Sequence, residues 1–167
     1  MAAMLLALWG CATQHEGTKA VMKLPQAVHT DTALAMEYFT NGALHDIHDE
    51  YADAILDYQE ALQYDDQPTI YYCIAKDYYS LRKVDRTAQF ADRAAQYADS
   101  AIARDSTNTL YRSLRAEIAL TLQGDFAVAQ NQYERIIELD SDDVQALSDL
   151  AGLYQLRGWN KEAIHLY

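Results

Sequence analysis

The chain is 167 residues long, half of them hydrophobic and 23% charged, which fits one folded unit and excludes both a disordered tail and a multi-span membrane protein. Thirteen Lys and Arg against 25 Asp and Glu give a net charge of -12, the wrong sign for a nucleic-acid backbone or an anionic lipid surface. Basic protein segments are better matched. Two cysteines, Cys11 and Cys73, cannot make a disulfide scaffold, and two prolines with six glycines leave room for long helices.

Residues 1–10, MAAMLLALWG, are apolar but too short for the ~20 residues that cross a bilayer as a helix. They run into Leu8-Trp9-Gly10-Cys11-Ala12, which resembles the lipobox of bacterial lipoproteins: an aliphatic residue, two further residues, then cysteine. The resemblance implies that Cys11 becomes the first mature residue, lipidated on its thiol and acylated on its amino group. Several chains anchor stably where one is marginal, at roughly 0.8 kcal/mol per buried CH₂. The implied location is the bacterial cell envelope, lipid-anchored on a periplasmic or outer-membrane surface. Two features depart from the pattern: no Lys or Arg precedes the apolar stretch, and Trp9 is bulky where the family prefers a small residue. The alternative is a cytoplasmic protein with an apolar tail and an ordinary thiol at Cys11. Residues 12–31 are polar, aperiodic and broken by Pro25, and read as a flexible tether with an r.m.s. span of roughly 25 Å.

After the tether the chain repeats itself with a period near 34, over units at about 35–67, 68–108, 109–143 and 144–167. Each unit reads as two amphipathic helices. In the first, Tyr51, Ala54, Ile55, Tyr58, Ala61 and Leu62 form one apolar stripe at helical spacing, and Phe126, Ala129, Tyr133, Ile136 and Ile137 return it in the third. Gly124 and Gly158 stand where a first helix must end in a left-handed cap, and Asp140-Ser141-Asp142-Asp143 can close one unit and cap the next. Small residues recur in the first helix (Gly42, Ala75, Ala116, Ala151) and in the second (Ala54, Ala129, Ala163), where neighbouring helices approach closely. In these positions the chain resembles the tetratricopeptide repeat (TPR) family. The resemblance covers residues 32–167 and implies an all-α solenoid of stacked antiparallel helix hairpins wound as a right-handed superhelix.

The second unit departs from this pattern. Its second helix, RTAQFADRAAQYADSAIARD, is about seven residues too long, so two extra turns of roughly 10 Å are expected to project from the stack. Arg82 replaces the turn glycine and Thr87 the small residue. The last unit reaches Tyr167 with its second helix just begun, so the chain is expected to be a piece of a longer protein.

Catalytic and metal motifs are weak or missing in the sequence. His45 and His48, at i and i+3 with Asp49 beside them, are the best metal candidate, but they read more simply as a packing position and a turn. Asp140-Ser141-Asp142 opens like a calcium loop, yet Val144 occupies a ligand position and the glycine is missing. No nucleophile elbow, zinc-protease helix or phosphate loop occurs, and no cofactor or small-molecule substrate is expected.

In TPR proteins the first helices line a concave groove for extended peptides or helices. The resemblance puts Met36, Phe39, Asp46, Tyr72, Lys76, Tyr79, Leu110, Glu117 and Gln155 on that surface. Phe39, Tyr72, Tyr79 and Leu110 are expected to supply apolar anchors, Asp46 and Glu117 to favour basic partners, and Lys76 to fix register. Family members that clamp a terminal carboxylate use Lys, Asn and Arg, whereas the matching positions here carry Phe39, Ala43, Cys73, Leu110 and Leu114. The expected function is a non-catalytic protein-interaction scaffold; the alternatives are the TPR arm of an enzyme whose catalytic domain lies past Tyr167, or a cytoplasmic assembly protein. Metabolic palmitate labelling is expected to mark the wild type and not Cys11→Ala. An unlabelled wild type removes the anchor.

Overall fold

A computed structural model describes residues 28–84 and 88–165, so the lipobox-like segment with Cys11, the tether up to residue 27, and Thr87 lie outside the described residues. The described chain is built from helices alone. The first hairpin pairs α1 (Val28–Ile47) with α2 (Tyr51–Ala61), and the second α3 (Pro68–Val84) with α4 (Ala88–Arg104). In the third, α5 (Thr109–Ile118) runs into a π-helical segment (Ala119–Gln123) before α6 (Phe126–Leu139); α7 (Val144–Leu156) and α8 (Asn160–Ile164) form the fourth. Each helix packs on the next in chain order, which is the all-α stack of hairpins expected from the periodicity. Helix α1 begins at Val28, inside the segment read as tether.

The core sits between the helices of each pair and between successive pairs. Three apolar clusters follow one another along the stack, centred on Tyr58 and Ile74, on Ala75, Ala94 and Ile118, and on Ala116, Ala129 and Ile136. The small residues are where helices touch: Ala54, Ala75, Ala116, Ala129 and Ala151 have no exposed surface. At Gly42 the reason is direct. A Cβ there would lie 2.8 Å from two ring carbons of Tyr58, a side chain buried on all sides and unable to retreat.

Helix ends follow local chemistry. Gly124 (φ 68°) and Gly158 (φ 75°) adopt the left-handed conformation, with open space where a side chain would stand, so backbone freedom and not packing selects glycine there. In the first hairpin Asp49 does the same work at φ 60°, a conformation that aspartate tolerates better than most residues, and its carboxylate accepts the Tyr51 hydroxyl at 2.5 Å. Asn108, Asp125 and Asp143 cap α5, α6 and α7 by accepting backbone N–H groups of Leu110, Val128 and Ala146. Each such cap is worth ~1 kcal/mol.

Two hairpins depart from the common geometry, for different reasons. From Gly42 to Ala54 and from Ala151 to Ala163 is twelve residues, but from Ala116 to Ala129 is thirteen. The π segment absorbs the extra residue: the Asp125 N–H bonds to the Ala119 carbonyl at 2.8 Å, and the chain re-enters register at Phe126. In the second hairpin the extra length does not project as a tail of the second helix. Both helices are 17 residues long. Past the buried Ala94, α4 continues for as many residues as α6 does past Ala129, so the added turns lie at the end of the hairpin where α3 and α4 meet residues 85–87. A stripe of Ala91, Ala94, Ala95, Ala98 and Ala101 keeps α4 packed along its length.

These contacts predict separable effects of two glycine substitutions. Gly42→Ala is expected to lower stability by about 1–3 kcal/mol through overpacking against Tyr58, and Gly124→Ala by about 1 kcal/mol through its positive φ alone. Chemical denaturation of both variants checks this; relief of the first loss, but not the second, by Tyr58→Leu would identify the clash as the cause.

Candidate functional site

The odd-numbered helices lie side by side, and side chains cross between them. Asp46 of α1 forms an ion pair with Lys76 of α3. Between α3 and α5, the Tyr72 and Tyr111 rings pack at 5.3 Å, and the Thr69 and Tyr111 hydroxyls are 3.2 Å apart. Further along, the Tyr79 hydroxyl donates to the Glu117 carboxylate. Thr121 donates to the Glu117 backbone carbonyl at 2.7 Å, where the α-helix gives way to the π segment. The Lys83 ammonium sits 4.1 Å from the Tyr79 ring centroid.

Most of the residues expected on the groove occupy this face, but their roles differ from the expectation. Met36 and Leu110 are more than 60% exposed. Phe39 is half-buried against Tyr58, at 5.5 Å between centroids, and Tyr72 is half-buried against Tyr111. Tyr79 is no anchor. It is buried, with its hydroxyl engaged by Glu117, and burial followed by that bond raises its pKa. Asp46 and Lys76 neutralise each other: burial works against the Lys76 ammonium, yet the Asp46 bond overrides it and holds the pKa above the ordinary lysine value. Gln155 is separated from the others, in a shallow depression with Leu120, Tyr133, Ser148, Asp149 and Gly152 between the π segment, α6 and α7. Burial, then Asp149 and Glu117, push Tyr133 in this depression up to about 12.

A better-formed cleft lies between α1 and the start of α3. It has a volume of about 280 Å³ and is walled by Ala35, Met36, Phe39 and Ile70, with Thr32, Asp65, Gln67 and Thr69 completing the lining. An apolar side chain fits such a site, with a carboxylate at its edge to receive a cationic neighbour.

Sequence patterning does not single out Asp77. It is completely buried, no donor reaches either carboxyl oxygen, and its polar neighbour is the Asp46 carboxylate. Burial, then Asp46, pushes Asp77 up to about 8, so at neutral pH it holds a proton. The repeat register carried the signal: two residues past each small position stand Leu44, Asp77, Ile118 and Leu153. An aspartate in that column is anomalous.

His45 does not meet His48 at a metal geometry. Its Nδ1 contacts the Glu50 carboxylate at 2.6 Å and its Nε2 lies 3.6 Å from Asp57, and the Glu50 bond, the largest effect, raises its pKa. Among the described residues the His/Cys/carboxylate cluster that forms is His45, Glu50 and Asp53, at the surface turn between α1 and α2, where it acts as an ion-pair staple. Asp140 accepts the Asp142 N–H and Asp143 caps α7, so that acidic run is a turn. No helix among the described residues is long and apolar enough to cross a membrane.

Solved structures match this stack of hairpins over most of its length. The first TPR domain of Spaghetti (RPAP3), determined bound to an HSP90 peptide, superposes with a TM-score of 0.65 at 22% identity, covering 77% of this chain and 98% of that one. The crystal structure of MamA matches with a TM-score of 0.70 at 16% identity over 83% of this chain and 77% of MamA. The fold is a tetratricopeptide-repeat solenoid. A third structure, YrrB, described as a TPR protein with an unusual peptide-binding site, matches with a TM-score of 0.66 at 16% identity over 83% of this chain and 68% of YrrB. No family model and no curated protein matches the sequence. At these identities the TPR likeness speaks for the fold, and this chain's own side chains must argue its function.

Within the TPR stack Cys73 is a packing residue. Burial pushes its thiol up to about 11, so almost no thiolate exists at neutral pH. In a Cys11→Ala background at pH 8, Ellman's reagent is expected to react with Cys73 only after denaturation. Fast reaction in the native state would show that the α1–α3 junction opens readily.

Proposed function

We propose that this protein is a non-catalytic interaction scaffold whose odd-helix face binds an extended segment or helix of another protein. The observation that carries the reading is the cleft between α1 and α3, whose wall includes the exposed Met36, with Leu110 exposed on the same face beyond Tyr72. In this reading one apolar side chain of the partner fills the cleft against Phe39 and Ile70. A second rests on Leu110, and cationic residues are drawn by Asp65 and by the net charge of -12. Among the described residues no unengaged ammonium lines the cleft, since Lys76 is paired with Asp46, and this favours a basic over an acidic segment.

The lipobox-like Leu8-Trp9-Gly10-Cys11 supports an anchored form, displayed from a bacterial envelope membrane by a lipidated Cys11. Such a protein acts by display: it concentrates a partner at a surface without transforming it.

Selection from a random peptide library on the purified protein tests the groove. Binders are expected to combine an aliphatic or aromatic residue with Lys or Arg, and Met36→Glu with Leu110→Glu is expected to weaken them at least tenfold while helicity is unchanged, because both side chains are already exposed. Peptides that bind this variant as tightly as the wild type would remove the groove assignment.

A further inference from the structure

Asp77 is the one fully buried acid among the described residues, and its carboxyl group neighbours both members of the Asp46–Lys76 ion pair. Two carboxyl groups in contact cannot both be ionised cheaply, and a carboxylate supplies no hydrogen to its neighbour. The arrangement is stable only when one of them carries a proton. Asp46 is partly exposed and bonded to the Lys76 ammonium, whereas Asp77 is shut away from water and is the one protonated.

The titratable groups that face Asp77 among the described residues come from three helices. Helix α1 contributes Asp46, α2 contributes Tyr58, and α3 itself contributes Cys73 and Lys76. Tyr58 and Cys73 are both held protonated by burial, which leaves the Lys76 ammonium and the Asp46 carboxylate as the charged groups facing Asp77 among the described residues.

We propose that Asp77, Asp46 and Lys76 form a proton-operated latch that closes α1 onto α3 and sets the charge of the groove. In the closed state protonated Asp77 donates to Asp46, while Lys76 neutralises Asp46 from the groove side. When the Asp77 proton leaves to solvent, the hydrogen bond becomes a repulsion between two carboxylates that share one ammonium. The junction loosens and the groove floor gains one negative charge. The effect on a cationic partner rests on the groove reading above; the latch itself does not.

The sign of the pH dependence follows from the direction of the shift. Asp77 ionises at about 8 in the folded chain against 3.8 for an ordinary aspartate, so the folded state binds the extra proton. Its contribution to stability is full below the ordinary value, declines as pH rises, and levels off past about 8.

The test is a pH titration from 5 to 9.5 of the full chain carrying ¹³C-carboxyl aspartate, with thermal unfolding followed at each pH. One aspartate is expected to titrate two or more pH units above all the others. That signal is expected to vanish in Asp77→Asn, whose melting temperature should fall less between pH 6 and 9 than the wild type's. Asp46→Asn keeps Asp77 but removes the facing charge, and is expected to move the high titration toward acid; this arm decides the matter even if Asp77→Asn fails to fold. If all aspartates titrate below pH 5, or the high titration is unmoved in Asp46→Asn, the latch does not exist. Either result leaves the peptide selection on the groove unaffected.

Discussion

Everything in this solenoid depends on how closely neighbouring helices approach, and that distance is set by a few side chains of minimal size. Gly42 lies on the Tyr58 ring, and Ala75, Ala116 and Ala151 hold the same station in later hairpins without exposed surface. Close approach brings the larger residues around them into full contact. A fully buried aromatic or aliphatic side chain of this kind contributes ~1.5–3 kcal/mol relative to exposure. Because each hairpin touches only its neighbours, the same contact must be remade at every step, and one faulty step divides the stack.

The departures from regularity show how that constraint is kept when the sequence strays. An inserted residue in the third hairpin is taken up by a π turn before Gly124, which restores the register of Ala129 against the core. Inserted turns in the second hairpin lengthen both helices, so that alanines continue to face the partner helix. The faces away from the groove are braced by arginines. Arg104 bonds Asp66 at 2.8 Å and lies over the Tyr71 ring, Arg112 donates to the Ser106 carbonyl and Gln132, and Arg115 reaches Asp99. Where these pairs are exposed they contribute little stability, but each fixes the seat of one helix end on its neighbour.

The groove face shows the opposite economy. Its charged residues are largely consumed within the protein: Asp46 with Lys76, Glu117 with Tyr79. What remains exposed there is apolar surface at Met36 and Leu110 and a cleft beside Phe39, on a chain of strongly negative net charge. A buried, protonated aspartate under this surface costs stability and is hard to justify as packing, since Ile118 and Leu153 fill the same register with hydrocarbon.

The sequence by itself determined the hairpin architecture, because helical periodicity, small residues at fixed spacing and glycines at helix ends are local or strictly repeating signals. Gly124, Gly158 and the Asp143 cap could be read without a structure, since each acts on the backbone within four residues of itself. Only the tertiary structure decided which polar residues face one another. That Asp46 would meet Lys76, that Tyr79 would be buried on Glu117, and that Asp77 would lie against Asp46 depends on side chains about thirty to forty residues apart, placed by the stacking angle of helices that sequence spacing does not encode. Even Asp49, standing in for a glycine at the first turn, became legible only when its positive φ was seen, because aspartate is ordinary in turns of every kind.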